Sequence, residues 1–288
     1  MKKDITALFC IINDFCKKVD ANLLFHKHKK PTRTPKLSIS EIVTIILMYH
    51  QSPCKNFEYY YKSYLQLYAV DFGHRLPSYN RFIELKPRAL LYLELFLKWC
   101  CMQSCNKTKI AYIDSTSLAV CHNKRRSRNK TFRGVAASSK TTKGWFYGLK
   151  LHLVIDDKGH VTSYMYTSGN VDDRAPVPNL VRHLKGLLLG DRGYLSKNLF
   201  SKLLEKGVKL ITGIKKNMLN KPMLLQEKLL LRKRGIIESV FNVLKNRFDL
   251  EHTRHRSIAN ACIHFISILI SYCLKQSKPS IIMHFNVS

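Results

Sequence analysis

The sequence predicts an α/β protein in which a mixed sheet with helices on its faces follows a small all-helical N-terminal domain. Two observations predict this class. Up to about residue 105, apolar residues recur at helical spacing, whereas from about 108 short apolar segments are separated by Gly and Asn. Toward the C-terminus such segments alternate with helical patterns. The 288 residues suffice for one large domain or two moderate ones.

The N-terminal region is expected to be helical. Ser38 and Glu41 have the spacing of a capping box in front of the apolar segment 42–48. A second helix is expected from Arg88 to Met102. The aromatic residues between these helices have mixed helical spacing, which is more typical of a core than of a surface that stacks on bases.

The strands are expected to begin at residues 109–120, a segment that contains one acid. Residues 144–155 and 160–166 are predicted to form a hairpin across the turn 156–159, because its Asp and Gly residues suit such a turn. The expected elements that follow are a helix at 178–185, a strand at 186–189, a helix at 197–206, a strand at 208–214 and a helix at 235–250. Three antiparallel strands followed by alternating helices and strands are the layout of a ribonuclease H-like mixed sheet.

The charge of the chain indicates its partner. Lys and Arg total 49 against 19 acidic residues, a formal net charge of +30. Such a surface attracts polyanions, because neutralising phosphates releases condensed counterions. This favours nucleic acid over an inert basic surface or a membrane-surface protein. The apolar segment 262–274 is too short to cross a bilayer, so no membrane partner is expected. The nine scattered cysteines indicate reduced thiols in the cytoplasm and no zinc site.

Three carboxylates occupy unusual positions. Asp114 lies in an apolar strand, where a charged side chain costs several kcal/mol unless a partner compensates it. Asp191 follows the apolar segment 187–190, and Glu238 lies beside the apolar stripe of the last predicted helix. Taken singly, each has an ordinary alternative: a salt bridge, a turn cap, or a solvated helix face.

The predicted topology brings these acids together, because the first strand is central, the fourth is its neighbour and the last helix crosses beside them. Clustered carboxylates require cations. Oxygen ligands with open positions suit Mg²⁺ or Mn²⁺, and two such ions about 3.5–4 Å apart promote in-line phosphoryl transfer. The charge of the chain and the chemistry of the site therefore agree.

The amino-acid sequence around these acids resembles that of DDE transposases of bacterial insertion sequences, most closely the insertion-sequence-982 family. The matching segments are YIDSTSLAVCHNKR (112–125), GWFYGLKLHLVIDDKG (144–159), GNVDDRAPV (169–177), GDRGY (190–194), LITGIKKNM (210–218), LLLRKRGIIE (229–238), EHTRHRS (251–257) and LFCIINDFCK near the start. The resemblance implies Asp114, Asp191 and Glu238 as catalytic metal ligands for two Mg²⁺ or Mn²⁺ ions. Related enzymes carry a Tyr-x2-Arg-x3-Glu-x6-Lys signature, of which Arg234, Glu238 and Lys245 match, while Leu231 replaces the tyrosine.

Basic residues beside this signature are candidate DNA contacts. Between Cys121 and Lys150 the chain carries many Lys and Arg residues and no acid, so it is expected to contact mostly phosphates. A flexible solvated loop is the alternative. Arg234 and Lys245 are candidate phosphate clamps beside the metal ions. The other candidates are Lys124, Arg125, Arg126 and Lys143 in this loop, and Lys215 and Lys216 in a second cluster.

These inferences combine into a domain plan and a function. We expect a helical DNA-binding domain at 1–107, a catalytic domain at 108–260, and a C-terminal helical segment and tail at 261–288. The expected function is metal-dependent cleavage of double-stranded DNA at terminal inverted repeats and strand transfer into target DNA. A homodimer or larger assembly in the bacterial cytoplasm, on the nucleoid when bound, is implied by analogy. The alternatives are a ribonuclease H-fold nuclease without strand transfer and an inactive DNA-binding protein from a decayed element.

Overall fold

The computed structural model describes residues 5–23, 35–73, 76–105, 109–142, 144–213, 223–252 and 255–280. The chain divides into two compact units. The first contains residues 1–98 and 256–274, and the second contains residues 99–255 and 275–288. Asp114, Asp191 and Glu238 all belong to the second unit.

The secondary structure follows the chain in a helical, then mixed, then helical order. The α-helices are α1 (Ile5–Leu23), α2 (Ile39–Gln51), α3 (Phe57–Tyr59), α4 (Tyr79–Leu85), α5 (Leu90–Cys105), α6 (Val177–Leu180), α7 (Lys197–Glu205), α8 (Leu225–Arg232), α9 (Gly235–Asn242) and α10 (Ile258–Cys273). The strands are β1 (Ile110–Cys121), β2 (Ala137–Thr141), β3 (Gly144–Asp156), β4 (Val161–Ser168), β5 (Gly186–Gly190) and β6 (Val208–Thr212). Shorter 3-10 and π-helical segments are Tyr60–Tyr64, Leu65–Phe72, Lys86–Ala89, Asn123–Arg128, Arg192–Tyr194 and Val243–Arg247.

The first unit is helical, and its predicted capping box is present. The Ser38 hydroxyl accepts the N–H of Glu41, and the Glu41 carboxylate accepts the N–H of Ser38 at 2.6 Å. Two of the aromatic residues lie in the core, as expected: Tyr60 and Tyr61 are buried and donate to the carbonyls of Ile45 and Pro77. Tyr59 is instead 61% exposed. Helix α10 is buried along almost its whole length. Within the described ranges, no helix has both the length and the apolar character that a membrane span requires.

The second unit is built on a six-stranded mixed sheet, which confirms the predicted sheet type. The strand order is β2-β3-β1-β5-β6, and β4 also pairs with β3. Strand β1 is antiparallel to β3 and parallel to β5, and β5 is parallel to β6. Strand β1 is therefore central and β5 is its neighbour, as the sequence predicted. Strand β2 was not predicted, because its sequence ASSKT lacks apolar alternation.

The turn between β3 and β4 forms where the sequence placed it. The Asp156 carboxylate is buried and accepts the N–H groups of Lys158 at 2.9 Å and His160 at 2.8 Å. Gly159 has a φ of 71°, a backbone conformation that side chains other than glycine rarely adopt. The residue types that predicted the turn therefore make its hydrogen bonds and its geometry.

Two helical predictions were wrong in extent. The helix expected at 178–185 extends only over Val177–Leu180. Between this helix and Gly186, backbone N–H groups form hydrogen bonds within irregular turns. The helix expected at 235–250 is α-helical only over Gly235–Asn242 and continues as a π-helix over Val243–Arg247. A π-helical turn contains more residues than an α-helical turn, so it changes which side chains share a face.

The two faces of β1 serve different purposes. Ala111 and Ile113 face a core that includes Val177, Leu199 and Leu203, contributed by α6 and α7. Because successive side chains of a strand point to opposite faces, Asp114 lies on the other face. Helix α9 packs beside β1. This arrangement brings the helix that carries Glu238 to the strand that carries Asp114.

A buried histidine makes the second unit sensitive to acid. His152 is fully buried and its Nε2 is hydrogen-bonded to Thr167 Oγ1 at 2.8 Å. Burial, assisted by the charge of Lys150, lowers the pKa of His152 from 6.5 to about 4, although Asp173 opposes the shift. Between pH 6.5 and about pH 4, His152 is therefore protonated in the unfolded chain and neutral in the folded chain. The contribution of neutral His152 to the free energy of unfolding is therefore fully present above about pH 6.5, and it is lost as the pH falls toward 4.

Replacing His152 with Gln is expected to remove up to about 3 kcal/mol of the acid-induced loss in the free energy of unfolding, because Gln does not titrate. Urea titrations at about pH 7 and at about pH 4.5 would measure this loss. His122→Gln is the matched control, because His122 is an exposed histidine of the same unit. Equal acid dependence in wild type and His152→Gln would contradict the assignment.

Candidate active site

Asp114 occupies the middle of the central strand. It pairs with Leu153 of β3, and its Oδ1 accepts the N–H of Ser115 at 2.8 Å. Its side chain is 24% exposed, so it remains accessible from one side while most of its surroundings exclude water. The carboxylate is thus held by a strand that pairs with β3 on one side and with β5 on the other.

Asp191 is the first residue after β5, the strand parallel to β1. Gly190 before it is tightly packed, since a Cβ there would lie 3.1 Å from the Tyr194 ring and 3.2 Å from the Ile113 side chain. The close approach at Gly190 seats the end of β5 against β1. Asp191 itself is 58% exposed.

Glu238 lies in the first turn of α9, and Arg234 immediately precedes that helix. Arg234 Nη2 is 2.9 Å from Glu238 Oε1. Nη1 of the same guanidinium is 3.4 Å from Asp114 Oδ2, and Nη2 is 3.9 Å from Asp191 Oδ1. The structure therefore brings all three acids around one cationic side chain, which is itself only 22% exposed.

The electrostatics of Asp114 reflect this crowding. Burial raises the pKa of Asp114 from 3.8 to about 6, and the negative charges of Glu238 and Asp191 add to the rise. The N–H of Ser115 and the guanidinium of Arg234 oppose it. Because like charges at this spacing disfavour ionisation, the fully ionised site requires a cation.

A second polar cluster lies near the site but is separate from the three acids. Lys150 Nζ donates to Asp173 Oδ1 and to the carbonyl of Val171, both at 2.9 Å. Asp172 instead pairs with Arg174, whose hydrogen bonds lower the pKa of Asp172 to about 2. These two adjacent acids therefore form ion pairs with Lys150 and Arg174.

Tyr194 is a neighbour of the site that the sequence did not reveal. Its ring is buried, and burial raises the pKa of its hydroxyl well above the usual value. The negative charges of Asp114 and Asp173 add to this rise, so the hydroxyl lies within electrostatic reach of both carboxylates. Its position three residues after Asp191 is a signal that could have been used, because that spacing turns a side chain back over the strand end.

The donor set suits a hard divalent cation, because all three converging groups are carboxylates. In the part of the chain that the structure describes, however, no three His, Cys, Asp or Glu side chains stand close enough to hold a metal ion. The Arg234 guanidinium lies among the three carboxylates instead. The acids thus fit a cation in their chemistry, and in this structure the guanidinium of Arg234 supplies the positive charge among them.

The remaining predicted cations fall into three groups. Lys245 lies in the π-helical segment and pairs with Glu251 at 2.5 Å, whereas Arg234 pairs with Glu238 at 2.9 Å. Lys124, Arg125 and Arg126 are exposed on the 3-10 helix Asn123–Arg128. Lys143, Lys215 and Lys216 lie outside the described residues.

Comparison with known proteins identifies the family. A family model described as "Transposase DDE domain" matches residues 104–258, more than half of the chain. The chain belongs to the DDE transposase family. The match spans Asp114, Asp191 and Glu238, and it confirms the predicted DDE transposase, whereas the insertion-sequence-982 family stays a prediction.

Among solved structures, the transposase is similar to piggyBac transposase in a synaptic complex with hairpin DNA. The TM-score is 0.49 and the sequence identity is 11%, over 94% of this chain and 74% of that chain. No curated protein matches this transposase.

Proposed function

We propose that this transposase cleaves double-stranded DNA at the ends of its element and transfers the freed 3′ ends into target DNA. Asp114, Asp191 and Glu238 act as the metal ligands of a ribonuclease H-like catalytic core. The observation that carries the proposal is the convergence of the three carboxylates on the guanidinium of Arg234, at 2.9–3.9 Å. Clustered acids of this kind are stable only with a cation between them.

Two Mg²⁺ or Mn²⁺ ions bound here would activate the attacking water or 3′-hydroxyl and stabilise the leaving oxygen. The three proposed ligands differ in how firmly the structure holds them. Asp114 is fixed by the central strand and by the N–H of Ser115. Glu238 is fixed to α9, whereas Asp191 is more than half exposed at a strand end, which leaves it open to DNA and water.

Arg234 has two successive roles in this proposal. Without metal it neutralises the three acids. With metal ions bound by the acids, the guanidinium would no longer be needed to neutralise them, and it would be free to contact a DNA phosphate through two parallel hydrogen bonds. Lys245, Lys124, Arg125, Arg126, Lys143, Lys215 and Lys216 are proposed as further phosphate contacts.

The wider organisation is proposed on the same basis. The helical N-terminal domain at 1–107 binds terminal inverted repeats, 108–260 is the catalytic domain, and 261–288 is a helical segment and tail. Within the compact units, α10 groups with the N-terminal helices. A homodimer or larger assembly pairs two DNA ends. An insertion sequence of the 982 family in the bacterial cytoplasm, on the nucleoid when bound, is the proposed setting.

Strand transfer is the step that separates this proposal from a nuclease. Incubating the transposase and Mg²⁺ with a pre-cleaved duplex of the element's end and a supercoiled target plasmid is expected to yield joined, relaxed molecules on a gel. Cleavage of an uncut end without any joined product would favour a ribonuclease H-fold nuclease. DNA binding without either product would indicate an inactive copy, and omission of Mg²⁺ is the control.

A further inference from the structure

Exposed basic residues cluster beyond the C-terminal end of β1, away from Asp114 along the strand. We name as the basic helix the 3-10 helix Asn123–Arg128, which exposes Lys124, Arg125, Arg126 and Arg128. Lys140 is exposed on the neighbouring strand β2. The sequence from 122 to 149 contains no acidic residue, so nothing within it neutralises these charges. A polyanion is the partner that such a surface fits.

An exposed tryptophan stands in this surface. Trp145, the second residue of β3, is 62% exposed, whereas the next residue, Phe146, is buried. Trp145 pairs across the strands with Lys140. Side chains of directly opposed residues lie on the same face and close together, so the indole lies beside a cation. Leaving so large an apolar side chain in water forgoes about 1.5–3 kcal/mol of burial, which a partner would recover.

Hydrogen bonds hold the residues of this surface in place relative to one another. The Asn123 side-chain amide donates to the carbonyl of Trp145. Arg126 Nη1 lies 3.5 Å from Ser138 Oγ of β2. The Tyr147 hydroxyl lies 3.4 Å from the carbonyl of Phe132, and it donates there. These bonds attach the basic helix and the loop after it to the β2–β3 hairpin, so the cations and the indole are presented together.

We propose that the basic helix, Lys140 and Trp145 form a site for double-stranded DNA in which the indole contacts a base or a sugar. The inference rests on the proposed function and adds to it a non-ionic contact that the charged residues cannot make. Cations bind phosphates regardless of sequence. An aromatic or apolar side chain beside them packs on a base face or inserts at a base step.

The sheet sets the distance along β3 between Trp145 and the position opposite Asp114. Leu153, which pairs with Asp114, and Trp145 are eight residues apart on β3 (153 − 145 = 8). An even spacing places both on the same face of the strand, and a rise of 3.2–3.4 Å per residue gives about 26 Å. Duplex DNA rises 3.4 Å per base pair. On a duplex that lies along β3, the indole contact would fall about eight base pairs from a phosphate at Asp114.

The chain offers a direct spectroscopic test, because it contains two tryptophans, Trp99 and Trp145. In full-length Trp99→Phe, Trp145 is the sole indole. Binding a duplex of about 30 base pairs that carries the element's end, without metal, is expected to quench its emission. Trp145→Phe, in which Trp99 is the reporter, is the matched control and should show little change. Inorganic polyphosphate, which has charges but no bases, should bind without comparable quenching.

An affinity measurement gives a second readout. Trp145→Ala is expected to weaken binding of the same duplex by about tenfold, whereas Trp145→Phe should stay within about threefold of wild type, because Phe retains an aromatic face. An abasic site about eight base pairs from the cleaved end should reduce the quenching in Trp99→Phe, and one about twice as far away should not.

The possible failures are distinguishable. DNA binding, measured by fluorescence anisotropy, without any change in Trp145 emission would overturn the indole contact and leave the proposed function intact. Equal quenching by polyphosphate would overturn it also, since the surface would then be an anion site only. Quenching unaffected by the position of the abasic site would overturn the eight-base-pair register. Absence of any DNA binding by the wild-type chain would instead contradict the proposed function itself.

Discussion

Asp114→Asn is expected to reduce Mg²⁺-dependent DNA cleavage by at least about 10³-fold while leaving DNA affinity within about twofold of wild type. The amide keeps the size of the side chain, so the central strand retains its packing. It removes the charge that we propose holds a metal ion, and a metal ion contributes several kcal/mol of transition-state stabilisation. DNA affinity is preserved because phosphate contacts come from Lys and Arg residues elsewhere.

Cleavage of a labelled duplex and fluorescence anisotropy would measure the two properties on the same preparation. Asp172→Asn is the matched control, because Asp172 is a carboxylate of the same unit that pairs with Arg174 outside the three acids. It should retain wild-type cleavage. Cleavage by Asp114→Asn at the wild-type rate would refute the catalytic assignment of Asp114, whatever the result for DNA binding.

The sheet could be predicted where the residue types of a single segment indicate its conformation. Strand β1 carries an apolar run, and the β3–β4 turn carries Asp156 and Gly159, whose side-chain acceptor and positive φ make the turn. Strand β2 could not be predicted, since ASSKT forms a strand only because β3 offers it a ladder of hydrogen bonds. The π-helical turn after Asn242 has no comparable signal in the residue types.

The sequence predicted which acids form the site and that they converge, but not how Arg234 contacts them. A carboxylate in an apolar strand is costly, so Asp114 attracts attention from the sequence alone. The spacing of Arg234 and Glu238 indicated one ion pair. That the same guanidinium also reaches Asp114 and Asp191 depends on the packing of α9 on β1, which no local pattern encodes. Exposure of Trp145 likewise depends on the strand's place in the sheet.

Arg234→Gln is expected to lower the free energy of unfolding in EDTA by about 1–3 kcal/mol, because Asp114, Glu238 and Asp191 lose their shared counter-ion. The group is partly buried, so the loss exceeds that of a surface pair. In the same variant, Mg²⁺ is expected to raise the melting temperature more than in wild type. The ion no longer competes with a guanidinium for the carboxylates, and ligand binding stabilises in proportion to its affinity.

Thermal unfolding with and without Mg²⁺ measures both effects, independently of cleavage. Arg232→Gln is the matched control, because it removes an exposed arginine two residues earlier on α8. It should change neither the stability in EDTA nor the response to Mg²⁺. If Arg234→Gln loses stability in EDTA but gains no additional stabilisation from Mg²⁺, Arg234 is a structural ion-pair partner and does not compete with metal. If it does both, the arginine and the metal ions neutralise the same carboxylates in turn.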